Sequence, residues 1–210
     1  PISLKTNLSP GQLALGAEQN STFAICLPGD KVIVSEHLGN LRRRKNYERY
    51  KYTISRYKKF YNFHPEKFAF DTNPAYQSTV YGKKQKKPER QIQHHVAHIK
   101  SVALENNLDN YIGIAADGAG LGNDGTIWGG EVFLAQNVKS KTQFRRIGSL
   151  ELQPMIGGDL ATKYPPRMLL GILSKFLDET ELFQIAKQYF SATEYKLLGK
   201  QLNENFNITY

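Results

Sequence analysis

The chain has 210 residues, 40% hydrophobic and 22% charged, which is the composition of a globular protein of one domain or two tightly joined lobes. A single cysteine, Cys26, excludes an intramolecular disulfide framework and a cysteine-rich zinc site, and no apolar run is long enough to span a bilayer. The net charge of +9 favours anionic partners (nucleotides, nucleic acid or an acidic protein surface) over cationic ones, or else marks a solvated lysine-rich surface.

In chain order, TFAICL and KVIVS read as two strands joined by a turn at Pro28-Gly29-Asp30. In the next segment Tyr47, Tyr50, Ile54, Tyr57 and Tyr61 recur at steps of three and four, which predicts a helix with one aromatic face among arginines and lysines. That face is either core or an RNA-stacking surface. KFAFD is a short strand that ends at an acid before the turn DTNP, and KKQKKPER is a basic connector. HVAHIKSVALENN fits a helix, YIGIAA a buried strand, and TIWGGEVFLAQ and FRRIGSLEL further strands. PPRMLLGILSKFL and ELFQIAKQYF are amphipathic helices. Strands mixed with helices indicate an α/β protein.

Three features carry chemistry. His94 and His98 are four residues apart, about 40° and about 6 Å on a helix, so both rings leave one face and can share a metal ion. His95 points elsewhere, toward a substrate or a hydrogen bond. Asp117, at the end of YIGIAAD, is either a third, oxygen ligand facing a cleft or the cap of the following turn. A site of two histidines and one carboxylate keeps positions open for substrate and suits Fe(II) or Zn(II). The loop DGAGLGNDGT formally contains GxGxxG, but a strand rather than a helix follows it, so it is not a dinucleotide fingerprint. No lysine follows Gly125, which rules out a P-loop, and Ala119, Leu121 and Trp128 occupy positions that an EF-hand reserves for oxygen ligands. A glycine-rich turn between two strands remains, of the kind that grips phosphate with backbone N–H groups in actin-like ATPases. Gly157-Gly158-Asp159 either caps the next helix or adds to that site, and Arg167 either pairs with phosphate or solvates its face.

Six segments, in order, resemble the carbamoyltransferase domain of the HypF family of hydrogenase-maturation proteins: LALGAEQNSTFAI, SEHLGNL, FDTNPAYQST, QHHVAHI, ADGAGLGNDGTIWGGE and IGGDLATKYPPRM. That domain is related to the enzymes of tRNA threonylcarbamoyl modification. The resemblance implies an actin-like (ASKHA) architecture of ribonuclease H-like lobes, the first over residues 1–110 and an incomplete second over 111–210. It implies a metal, Fe(II) or Zn(II), on His94, His98 and Asp117. Nucleotide phosphates would lie on Gly118, Gly120, Gly122, Asp124, Gly125, Thr126, Gly157 and Gly158, with His95 and Glu18 as candidate substrate contacts. The family transfers a carbamoyl group from carbamoyl-adenylate, made with ATP, to the C-terminal cysteine thiol of a HypE partner, toward the cyanide ligands of NiFe-hydrogenase. Asn20, Asn40 and Asn73 replace the family's usual Lys, Asp and His and remove charge near the expected cleft. The acylphosphatase, zinc and adenylate-forming domains of the family are not in the sequence, which reads as a fragment inactive alone. The expected setting is cytoplasmic, without membrane contact and with nucleic acid as a minor alternative. A silent scaffold of the same fold and an RNA-binding protein are the competing readings.

Overall fold

In the computed structural model, which describes residues 2–3, 9–138 and 141–209, the chain forms two units, Pro1–Gly148 and Ser149–Tyr210. The first begins with strands β1 (Ile2–Ser3), β2 (Gln12–Ala14), β3 (Ala24–Leu27) and β4 (Lys31–Val34). Helix α1 (Arg44–Phe60), strand β5 (Lys67–Asp71), helix α2 (Gln77–Lys84), strand β6 (Glu89–Ile92) and helix α3 (His94–Glu105) follow. The six strands make one sheet in the order β1-β4-β3-β2-β5-β6. The hairpin strands run antiparallel, whereas β5 is parallel to both β2 and β6.

The tyrosine stripe of α1 faces the core. Tyr50 and Ile54 are fully buried with Leu13, Leu15, Phe23 and Phe70, and Tyr47, Tyr57 and Tyr61 pack on this cluster. The Tyr50 hydroxyl donates to the Leu15 carbonyl at 2.7 Å, so its one polar group is satisfied inside. With its aromatic face buried, α1 presents mainly charged side chains to solvent, which removes the stripe as a stacking surface for RNA.

Strands β7 (Tyr111–Leu121), β8 (Ile127–Val138) and β9 (Lys141–Ser149) form a second sheet. It packs on α3 through Ile99, Ala115, Trp128 and Phe133. The structure corrects two expectations here. YIGIAA is not a buried strand: Gly113 and Ala115 face α3, while Ile112 and Ile114 are 64% and 72% exposed, because only one face of the sheet is covered by α3. Nor does the strand end at Asp117. It continues to Leu121 after an irregularity, since Ala116 pairs with Gly130 but Gly120 with Trp128. Four steps on β7 thus oppose two on β8, and Asp117, Gly118 and Ala119 lie opposite Gly129 in a bulge.

In the second unit, strands β10 (Met155–Ile156) and β11 (Ile208–Thr209) pair antiparallel, with helices α4 (Asp159–Lys163), α5 (Pro165–Leu173), α6 (Glu179–Ala186) and α7 (Ala192–Asn203) between them in sequence. Ile156, Leu170, Leu182, Ala186 and Leu198 form its core. Helices α6 and α7 each begin with a capping box, Asp178 with Glu181 and Ser191 with Glu194, which satisfies donors that a helix start leaves free. The expected helix over 165–177 stops at Leu173, and the strand expected over FRRIGSLEL stops at Ser149. No helix among the described residues is long and apolar enough to cross a membrane.

Candidate metal centre

Parallel pairing of β5 with β6 sets Asp71 beside Ile92, at the carboxyl ends of adjacent strands. Two residues later α3 begins. The Gln93 side chain caps it by accepting from the Val96 N–H at 2.9 Å, which places His94 in the first turn and His98 one turn on. The bulge in β7 swings Asp117 toward the same point. His94 Nε2 lies 2.9 Å from Asp117 Oδ2 and 3.3 Å from His98 Nε2, and His98 Nε2 lies 3.8 Å from Asp117 Oδ2. These three are a group able to hold a metal ion, reached through half-buried and exposed side chains.

Two observations test whether an ion fits. Ligands about 2.1 Å from a metal stand about 3.0 Å apart at right angles and about 3.4 Å apart at the tetrahedral angle, and the three separations bracket these values. Among the described residues Asp117 Oδ2 is also buried without a hydrogen-bond partner, despite its closeness to His94 Nε2. Lone pairs crowded in this way are reconciled by a cation between them. The donor set fits Fe(II) or Zn(II).

On its other side, His94 Nδ1 lies 2.7 Å from Asp71 Oδ2. That hydrogen bond holds the His94 imidazolium above the usual histidine range; burial opposes it, and the charges of Asp71 and Asp117 add to it. His95 behaves oppositely. It is fully buried, and burial, then the neighbouring His94, push its pKa down. Its Nδ1 is 3.0 Å from Gln93 Nε2, and its Nε2 has no partner among the described residues. Sequence reasoning missed Asp71. The signal was an acid closing an apolar strand, but only the fold shows what it touches, 23 residues on.

The glycine-rich segment is a hairpin. Gly125 needs its positive φ of 82° to close the turn, where Gly122 N–H donates to the Thr126 carbonyl at 2.8 Å. Asp124 Oδ1 accepts from Thr126 N–H at 3.0 Å, Thr126 Oγ1 at 2.7 Å and Trp128 Nε1 at 3.0 Å. Thr126, then Trp128, hold the Asp124 carboxyl below its ordinary range. The N–H groups of Gly118, Gly122, Gly125 and Thr126 are thus engaged within the hairpin. Gly118 and Gly125 open onto free space, whereas Gly120 lies against the rings of His94 and His95. Trp128 is capped by the Arg146 guanidinium at 4.2 Å, and Arg146 Nε donates to buried Glu131 at 2.5 Å. A groove of ≈ 360 Å³ runs from His98 and Asp117 between α3 and β7.

The remaining expected residues have structural partners. Glu18 is buried and accepts from Gln77 N–H at 2.6 Å, at the start of α2. Gly157 and Gly158 lie in the second unit, where Gly158 precedes α4 as its N-cap and Arg167 Nη1 reaches the Ile156 carbonyl at 3.5 Å. Asn40 and Asn73 accept from the Arg42 and Ala75 N–H groups, and Asn20 sits at φ 48° in a turn.

Comparison with known proteins adds the following. Residues 7–105 match the HypF Kae1-like domain, and residues 113–210 match the second subdomain of the Kae1-like carbamoyltransferase domain. A probable carbamoyltransferase HypF from Methanocaldococcus jannaschii is 36% identical over 99% of this chain and 27% of its own length. The carbamoyltransferase HypF of Synechocystis is 35% identical over 82% of this chain and 22% of its own length. The crystal structure of a full-length HypF in a phosphate- and nucleotide-bound form superposes with a TM-score of 0.88 at 34% identity, over 100% of this chain and 27% of that one. The chain therefore spans about a quarter of the length of these relatives.

Proposed function

This chain belongs to the HypF carbamoyltransferase family, and on that premise we propose that it carries the metal-binding, nucleotide-facing part of a carbamoyl transfer site. The observation that carries the reading is the convergence of His94 Nε2, His98 Nε2 and Asp117 Oδ2 on one point. These atoms would hold Fe(II) or Zn(II), which when bound supplies Lewis-acid polarisation of a carbonyl or phosphoryl oxygen. The groove beside His98 and Asp117 gives a nucleotide-sized substrate a place to lie. Gly118 and Gly125, with no described residue near a Cβ built there, leave space for a phosphate beside the hairpin, although their own N–H groups are engaged within it. Asp124 acts by holding the hairpin in shape, since its carboxylate is already occupied by Thr126 and Trp128.

The substrate in this reading is carbamoyl-adenylate, derived from ATP. A cysteine thiol at the C-terminus of a HypE-like protein would displace AMP from the carbamoyl carbon, with loss of the thiol proton, to give a thiocarbamate on the way to the cyanide ligands of NiFe-hydrogenase. This chain spans 27% of the length of the Methanocaldococcus jannaschii relative, so transfer is to be tested in a full-length protein. The decisive experiment measures metal in the purified full-length protein and in the double variant His94→Ala/His98→Ala. We expect stoichiometric iron or zinc in the first and its loss in the second, with the circular dichroism spectrum unchanged. Full metal content in the double variant would refute the ligand assignment. A protein that binds metal yet transfers no carbamoyl group to a thiol would be the scaffold of the competing reading.

A further inference from the structure

We propose that Asp71 is the positioning residue of the metal centre: it fixes the proton of His94 on Nδ1 and thereby presents the Nε2 lone pair to the ion. The inference rests on the metal reading of His94 given above. An ionised carboxylate can only accept, so a 2.7 Å contact from Asp71 Oδ2 to His94 Nδ1 requires the ring proton at Nδ1. Nε2 is then bare in the neutral ring, and it is this atom that faces Asp117 Oδ2 and His98 Nε2; in the charged ring it carries the second proton toward Asp117, and an ion would take that proton's place.

Asp71 is itself held on three sides. Its Oδ1 accepts from the Asn73 N–H at 2.8 Å, and its carbonyl accepts from Thr79 Oγ1 at 3.0 Å. Its backbone is locked in the sheet beside Ile92. The side chain is only 6% exposed, so water does not compete for its oxygens. A carboxylate fixed in this way orients the ring and makes its far nitrogen a better donor.

The neighbouring histidine shows that the arrangement is selective. Gln93 Oε1 is taken by the Val96 N–H, so the Gln93 amide nitrogen is the group that faces His95 Nδ1, at 3.0 Å. His95 must then accept at Nδ1 and carry its proton on Nε2, the opposite tautomer. Adjacent residues are thus set in opposite states by Asp71 and Gln93, and of these two only His94 offers Nε2 as a ligand.

The test uses the full chain, metal-free, with 15N-labelled histidine and at a pH high enough for the His94 ring to be neutral, and reads the tautomers from long-range 1H–15N spectra assigned by single His→Gln changes. We expect the Nδ1–H form at His94 and the Nε2–H form at His95 in one spectrum. In Asp71→Asn, where an amide replaces the carboxylate without change of shape, His94 should shift toward Nε2–H. The Zn(II) dissociation constant, measured by competition with a chromophoric chelator, should rise about 10–100-fold. An Nε2–H form of His94 in the unsubstituted chain would overturn the proposal, and so would an Asp71→Asn protein with unchanged tautomer and affinity. Should Asp71→Asn fail to fold, the spectrum of the unsubstituted chain decides. Absence of Zn(II) binding to the unsubstituted chain would instead overturn the metal reading, and the role given to Asp71 with it, whatever tautomer the spectrum shows.

Discussion

Gly120→Ala joins the packing of the hairpin to the proposed metal centre in one perturbation. A methyl group built at Gly120 would lie 2.7 Å from His95 Cε1 and 3.0 Å from His94 Cδ2. Carbon atoms rest about 3.5–4.0 Å apart, so the rings or the strand must yield by about 0.8 Å. His95 is fully buried and cannot swing out of the way. Overpacking of this size costs about 1–3 kcal/mol, and at about 2 kcal/mol the melting temperature of a chain of this size falls by about 4–8 °C. A metal site tolerates displacements of only about 0.2 Å, so Zn(II) affinity should fall at least tenfold. Gly118→Ala is the control, two residues away on the same strand, with nothing near its added methyl group. Neither glycine has a positive φ, so the two substitutions differ in space rather than in backbone strain. The measurements are thermal denaturation of the metal-free protein and chelator competition for Zn(II). Equal melting temperatures and equal affinities for the two variants would refute the reasoning.

Three further outcomes follow from buried partners and from charge. Tyr50→Phe leaves the buried Leu15 carbonyl without its donor and should lose about 1–2 kcal/mol, read from the urea midpoint. Arg146→Ala strands buried Glu131 and uncovers Trp128; because Arg146 is about a third exposed, the loss should be about 1–3 kcal/mol, below the about 3–5 kcal/mol of a fully buried pair, and partly recovered by adding Glu131→Gln. Since Asp71 raises the His94 pKa above the ordinary value of about 6.5, protons compete with metal at higher pH than at an isolated histidine, and Zn(II) affinity should begin to fall while the pH is still above that value. In the metal-free protein the sign reverses: the charged His94–Asp71 pair stabilises the fold fully below the unfolded pKa, and this contribution is lost as pH rises through the raised folded value. A pH titration of melting temperature, with and without Zn(II), checks both directions.

The legible part of the sequence was its periodicity. Four-residue spacing placed His94 and His98 on one face of α3, and the aromatic recurrence marked the buried side of α1. Punctuation identified the glycine loop as a hairpin rather than the start of a helix. What escaped depends on contacts between distant segments. KFAFD shows an acid at a strand end, but Asp71 meets His94 only because β5 and β6 lie side by side. Asp117 reads as the end of a strand because the apolar run YIGIAA stops there at an acid, whereas the chain forms a bulge within β7 at that point. Helix α7 was legible as well, since Ser191 and Glu194 spell a capping box and Tyr195, Leu198 and Leu202 recur at steps of three and four on its packed side.

The bulge has one more consequence, for the phase of the hairpin. Side chains alternate along a strand with period two, and on β8 the odd-numbered Glu131, Phe133 and Ala135 are the ones turned inward. Beyond the mismatch an even-numbered residue, Trp128, is turned inward instead. Without this inversion Trp128 would share the outer face with Ile112 and Ile114, and His95 would lose the ring that stands 6.0 Å from its own. The spacing from Asp117 to Ala119 is therefore a length constraint as much as a sequence constraint. Removal of both Gly118 and Ala119 would leave Asp117 alone opposite Gly129, restore simple alternation and turn the indole away from the histidines, even with every candidate ligand still in the chain.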